Sequence, residues 1–138
     1  MQKHIDLTVT GVEQPQLMWL DQDKLEKVMY NLLSNALRYT KSRVVVSCEP
    51  KGDFVLIHVD DDGPGVPEKD RIRIFEPFKR LEESRGKASG GLGLGLAIVR
   101  RIAQVHGATI EIADSPLGGA RFSISWPRAE NRQTGADA

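Results

Sequence analysis

The chain has 138 residues, 40% of them hydrophobic and 28% charged, with 19 lysines and arginines against 19 aspartates and glutamates. That length and mix predict one globular domain with a real core, and the even charge excludes the long-range field that gathers nucleic acid or an anionic membrane surface. The single cysteine, Cys48, excludes an internal disulfide and a cysteine-based zinc site and fits a reducing compartment. No apolar run approaches membrane-spanning length and no secretory leader opens the chain, so the expectation is a soluble, cytoplasmic domain.

The stretch "HIDLTVTG", His4 to Gly11, alternates apolar and polar residues and reads as a strand. After "EQPQ" comes "LMWLD", too short for more than an edge strand. Asp21 can cap a helix beginning at Gln22, and Leu25, Val28, Met29, Leu32, Leu33 and Ala36 recur at helical spacing up to about Tyr39. "RVVVSC" and "DFVLIHVD" flank the turn-rich "EPKGD" and predict an antiparallel hairpin.

From Asp61 to Gly91 the chain is charged and aperiodic, long enough to be either functional or disordered. A second helix follows, with Leu94, Ile98, Ile102 and Val105 as its apolar stripe and Gly107 as its cap. Leu94 and Ile98 are expected to root its start in the core. "ATIEIA" and "ARFSISW" then pair across "DSPLGG". The tail from Arg128 is polar, patternless and expected to be disordered. Strand, helix, hairpin, long loop, helix, hairpin predicts an α+β, two-layer sandwich: a mixed, mostly antiparallel sheet with helices on one face.

Three groups of residues could carry chemistry. "GGLGLGLAIV" is no linker, because its leucines want burial, and it lacks the spacing of a dinucleotide fingerprint and the Lys-Ser/Thr end of a Walker loop. A glycine-rich loop running into a helix N-terminus remains, and taken alone it could cradle phosphate or be a structural turn. In "VDDDGPGVP", period two puts Asp61 on the same side as Val55, Ile57 and Val59. A carboxylate there is costly unless something donates to it. The adenine amine is a suitable donor, and guanine would oppose it with a carbonyl oxygen, although a plain Asp-Gly-Pro-Gly turn also fits. An EF-hand fails for want of its full ligand series. On the first helix, Asn31, Asn35 and Arg38 stand at i, i+4 and i+7, one polar stripe that could serve Mg²⁺ and phosphate or simply face solvent. One ligand, Mg·ATP, would use all three groups.

With these residues the chain resembles the catalytic ATP-binding domain of bacterial sensor histidine kinases, within the wider group that includes gyrase, Hsp90 and MutL ATPases. The likeness runs from about His4 to Pro127. "NLLSNALRYT" looks like the N box, "DDGPG" the first glycine box, "IFEPFKR" the F box, "GGLGLGLAIV" the second glycine box and "GGARF" the third.

The resemblance implies a Bergerat-type ATP-binding domain over residues 1–127, with a mobile lid at about 76–90. It implies that Asn35 binds Mg²⁺, Asn31 assists near the phosphates, Arg38 contacts phosphate, Tyr39 lies against adenine and Asp61 accepts from the adenine amine. Gly63, Gly65 and Val66 would wall the base. Phe75 and Phe78 would anchor the lid, Arg80 and Arg85 would reach the phosphates, and Gly91, Gly93, Leu94 and Gly95 would form its closing hinge. Two departures stand out: Leu92 where the family often keeps threonine or a small residue, and Ala120-Arg121 in place of the usual threonines.

The gyrase and Hsp90 branch keeps a glutamate one turn before the metal-binding asparagine, as general base toward water. Here that place is Asn31, whose amide cannot take a proton, and Glu26 has the wrong spacing. Transfer to a histidine is therefore favoured over hydrolysis. His4, His58 and His106 read as structural. The implied partners are a separate dimerisation domain carrying the acceptor histidine and, indirectly, a response regulator. No nucleic acid or membrane contact is implied, and the isolated domain is expected to be a monomer. A hydrolytic ATPase of the same fold and a nucleotide-sensing or protein-binding module are the competing readings.

Overall fold

The apolar residues three and four apart make Gln22–Tyr39 an 18-residue helix, α1, with Asp23 in the first turn and Arg38 in the last, the ends where the helix dipole favours them. In the computed structural model, which describes residues 5–10, 22–76 and 95–127, α1 joins β1 (Asp6–Thr10) to β2 (Arg43–Lys51). These two strands run parallel, which a crossover of this kind permits. The strand β3 (Phe54–Asp61) returns antiparallel to β2, α2 spans Gly95–His106, and β4 (Thr109–Asp114) and β5 (Ala120–Pro127) close the chain as a hairpin. The sheet order is β1-β2-β3-β5-β4, so β3 and β5 meet at its centre.

The helices pack on each other and on one face of this mixed sheet, α1 against β3 and α2 against β4 and β5. Val28, Leu32 and Ala36 of α1 meet Val44, Val59, Phe122, Ile124 and Trp126 of the sheet in one core. Burying each of the larger side chains contributes about 1.5–3 kcal/mol. Helix α2 ends as its glycine predicts: Gly107 takes φ +73° and the Ala108 N–H closes on the Ala103 carbonyl at 2.8 Å.

Three expectations need correction. The first hairpin turns at Gly52 and Asp53 alone, because the β2 ladder continues through Glu49, Pro50 and Lys51 to pair Lys51 with Phe54. Pro50 is tolerated there because, among the described residues, β1 pairs with Arg43 to Ser47 and no further, which leaves the Pro50 end of β2 without a described neighbour on that side. The core face of α2 is Val99, Ile102 and Ala103, whereas Ile98 and Val105 are 42% and 58% exposed. At 100° per residue Ile98 and Val105 fall on the flank of that face, so Ile98 does not root the helix start in the core; Leu94 lies outside the described residues. Within the aperiodic stretch, Glu68–Asp70 and Arg73–Phe75 form short 3₁₀ turns, the second burying Ile74 and Phe75. The "LMWLD" segment, Asp21, His4 and the tail also lie outside the described residues.

Candidate functional site

The three aspartates that end β3 go three ways. Asp61 points to the helix side, 2% exposed, as the alternation of Val55, Ile57 and Val59 requires. Its Oδ1 accepts from the Gly63 N–H at 2.8 Å and the Ala120 N–H at 3.2 Å, so neither donor uses Oδ2. Burial pushes this carboxyl up, the two backbone donors pull it part of the way back, and the charges of Asp62 and Asp60 raise it again.

Asp62 leaves the strand and gathers the start of β2. Its Oδ1 accepts from the Thr40 hydroxyl at 2.5 Å and the N–H groups of Lys41, Ser42 and Arg43 at 2.8, 3.1 and 3.3 Å, and its Oδ2 takes the Ser42 hydroxyl at 2.9 Å. The Thr40 hydroxyl first, then the Ser42 and Lys41 donors, hold its carboxyl well below the usual range. A depressed folded-state value contributes stability above the unfolded pKa, near ~4, and loses it as pH falls toward the folded value. Between about pH 5 and about pH 2, the parent should therefore lose denaturant resistance more steeply than an Asp62→Asn variant. Parallel stability curves would contradict this role.

Asp60 points the other way, to the helix-free face, where Arg121 holds it through two hydrogen bonds of 2.8 and 3.0 Å. Beside it His58 is buried, with Nδ1 2.6 Å from the Ser123 hydroxyl and Nε2 3.2 Å from Glu49 Oε1. His106, at the end of α2, stacks on Trp126 with ring centroids 5.5 Å apart. Both described histidines are thus engaged in packing.

Two close approaches assemble the three groups of residues singled out from the sequence. A Cβ on Gly63 would run into the Tyr39 carbonyl oxygen, so the loop after β3 lies directly on the end of α1. A Cβ on Gly95 would come within 2.8 Å of Asn31 Oδ1, so the start of α2 lies on the middle of α1; the Asn31 amide is itself tied to the Lys27 carbonyl at 2.7 Å. Helix α1 is the common wall, and Asn31, Asn35, Arg38 and Tyr39 are half-buried along it.

Among the other expected site residues, Gly65 follows with φ +78°, Val66 is buried in the core, and Phe75 is buried edge-on to Phe122 at 6.5 Å. Phe78, Arg80, Arg85, Gly91, Gly93 and Leu94 lie outside the described residues. Sequence reasoning missed Asp62, the Asp60–Arg121 pair and Gly119. At Gly119 a Cβ would strike Asp61 Oδ1 and come within 2.5 Å of the Gly63 nitrogen. Only the doubled glycine before β5 hinted at so tight a contact.

A family model described as histidine kinase-, DNA gyrase B- and HSP90-like ATPase matches residues 20–130. The chain belongs to this family. Within this histidine kinase-like ATPase family it is 51% identical over 112 residues to the sensor protein RstB of Escherichia coli K12, covering 81% of this chain and 26% of that protein. It is 44% identical over 121 residues to the sensor histidine kinase CpxA of the same strain, covering 88% of this chain and again 26% of the relative. The chain therefore spans about a quarter of the length of these sensor kinases.

Among solved structures, full-length ShkA in complex with AMPPNP superposes with a TM-score of 0.78 at 29% identity, over 92% of this chain and 26% of that one. The catalytic domain of the histidine kinase ThkA gives 0.76 at 26% identity, over 90% of this chain and 80% of that domain. The mixed sheet under two helices is accordingly the histidine kinase-like ATPase fold. Among the described residues no helix is long and apolar enough to cross a membrane.

Proposed function

We propose that this chain is the catalytic domain of a two-component sensor histidine kinase, binding Mg·ATP and donating the γ-phosphoryl group to a histidine on a separate dimerisation domain. The observation that carries the reading is Asp61: a buried carboxylate at the end of β3 with both backbone donors on Oδ1, so that Oδ2 can take the exocyclic amine of adenine. A buried charge of this kind is costly without a further donor, and the base supplies it. Tyr39 would lie against the adenine, while Gly63, Gly65 and Val66 would wall it. ShkA, a structural neighbour, is complexed with the ATP analogue AMPPNP, which supports the same ligand class here.

The phosphate end would lie along α1 toward Gly95, where Asn31 already touches the start of α2. The helix N-terminus favours anions and Arg38 can meet a phosphate oxygen. Among the described residues no group of three acidic, histidine or cysteine side chains could hold a metal ion by itself. A neutral carboxamide such as Asn35 fits a Mg²⁺ ion that arrives with most of its ligands from phosphate and water. When bound, that ion would neutralise charge on the phosphates. On this reading the domain occupies residues 1–127, residues 76–90 form the lid with Arg80 and Arg85, Gly91, Gly93 and Leu94 belong to its hinge, and a response regulator takes the phosphoryl group afterwards. The domain itself is read as cytoplasmic and monomeric.

Asn31 stands where a water-activating base would be needed, and an amide cannot fill that role. Chemistry is left to positioning and charge stabilisation for an external nucleophile. The test uses ATP labelled in the γ-phosphate, with and without an added acceptor-histidine domain. Label should move to that domain while little inorganic phosphate accumulates without it. Rapid steady hydrolysis by the chain alone would identify a hydrolytic ATPase, and tight ATP binding with no transfer would identify a nucleotide-sensing module.

A further inference from the structure

Arg121 replaces a threonine expected near the base, yet its side chain is on the opposite face of the sheet. The β3–β5 ladder ends at the rung Asp60–Arg121, and this last rung carries the fork: Nε to Oδ1 at 2.8 Å and Nη2 to Oδ2 at 3.0 Å. Asp60 is only 3% exposed, and that guanidinium is its ion-pair partner. One residue further along both strands the side chains reverse direction, and the neighbours are Asp61 and Ala120. There the Ala120 N–H donates to Asp61 Oδ1 at 3.2 Å, and the adjoining Gly119 N–H donates to the Asp61 carbonyl at 3.2 Å.

Beyond Arg121 the β3–β5 ladder has no further rung: Ala120 and Gly119 meet Asp61 through these two N–H bonds, while their other edge is tied to β4 by the Asp114–Ala120 rung and the Ser115 N–H on the Gly119 carbonyl at 2.8 Å. We infer that the Asp60–Arg121 pair is a positioning clamp for the nucleotide base, acting through the sheet. By locking the last rung from behind, it fixes the Ala120 amide on the Asp61 carboxylate and the Gly119 amide on the Asp61 carbonyl. Arg121 touches no base; it sets which way Asp61 faces. The two-bond geometry matters because a guanidinium fork fixes both distance and angle, whereas an ammonium would fix neither. The inference rests on the ATP reading given above.

The test compares parent, Arg121→Gln and Arg121→Lys for binding of ADP and of inorganic tripolyphosphate, which engages only the phosphate end. Amide exchange at Ala120 is followed without nucleotide. Arg121→Gln should weaken ADP about tenfold, the order expected when a charge-assisted hydrogen bond loses its alignment. Tripolyphosphate affinity should not change, and Ala120 exchange should quicken. Arg121→Lys keeps the charge and stem and remains informative if the glutamine variant does not fold; it should show the same split to a smaller degree. Equal loss of both ligands would assign Arg121 a purely structural role, and unchanged ADP binding in a folded variant would remove the clamp altogether. A parent chain that bound no ADP would instead sink the ATP reading, and the clamp with it.

Discussion

Asp61→Asn should leave the chain folded and weaken ATP binding by roughly 10- to 100-fold, the size of a lost hydrogen bond to a charged group. The amide oxygen can keep the Gly63 and Ala120 donors on the Oδ1 side. Its NH₂ then occupies the Oδ2 side and meets the adenine amine donor to donor. Stability should move the other way. Because burial raises the Asp61 pKa in the folded state, its ionised form weighs against folding once pH rises above the unfolded value near ~4, and substitution removes that cost. At neutral pH the thermal midpoint of Asp61→Asn should equal or exceed that of the parent. Titration calorimetry beside thermal melts checks both halves, and normal ATP binding by the variant would remove Asp61 from the base contact.

Gly119→Ala should produce the larger combined loss. Its Cβ would collide with Asp61 Oδ1 and lie 2.5 Å from the Gly63 nitrogen and 2.6 Å from the Asp61 carbonyl oxygen. Two of these atoms are backbone, and the third is a carboxylate pinned by two N–H groups, so no flexible side chain can yield. Overpacking of this kind costs about 1–3 kcal/mol, and relief by separating β3 from the start of β5 would misplace Asp61. A several-degree fall in thermal midpoint together with loss of ATP binding is expected. Gly52→Ala is the control: it has φ +61° but nothing within 4 Å, so it should cost about 1–2 kcal/mol of backbone strain and leave ATP affinity intact. A Gly119→Ala chain that bound ATP like the parent would refute the packing argument.

Much of this architecture was legible in the sequence because it depends on local period. The apolar spacing gave α1 its bounds, and the side-to-side period of the strand Phe54–Asp61 put Asp61 on the same side as Val55, Ile57 and Val59. The misassigned face of α2 has a local cause too: in a helix this apolar, Ile98 and Val105 fit a stripe as well as Val99 and Ala103 do. Only the position of the sheet chooses between them. The outer face was illegible for a different reason. Alternation sends His58 and Asp60 to the helix-free side, where exposure is expected, and their burial comes from Arg121 and Ser123, which are 61 and 65 positions away. The run Asp60-Asp61-Asp62 likewise looks uniform as letters. Strand direction and the strand's end separate it into a clamp, a buried acceptor and a loop anchor.

The site around Asp61 is expected to select adenine over guanine. Titration of the chain with ATP and with GTP, each with Mg²⁺, tests it most directly. Guanine would place a carbonyl oxygen against Asp61 where adenine places an amine, so ATP should bind saturably and GTP at least ~10-fold more weakly. Equal affinity for the two nucleotides would contradict the account.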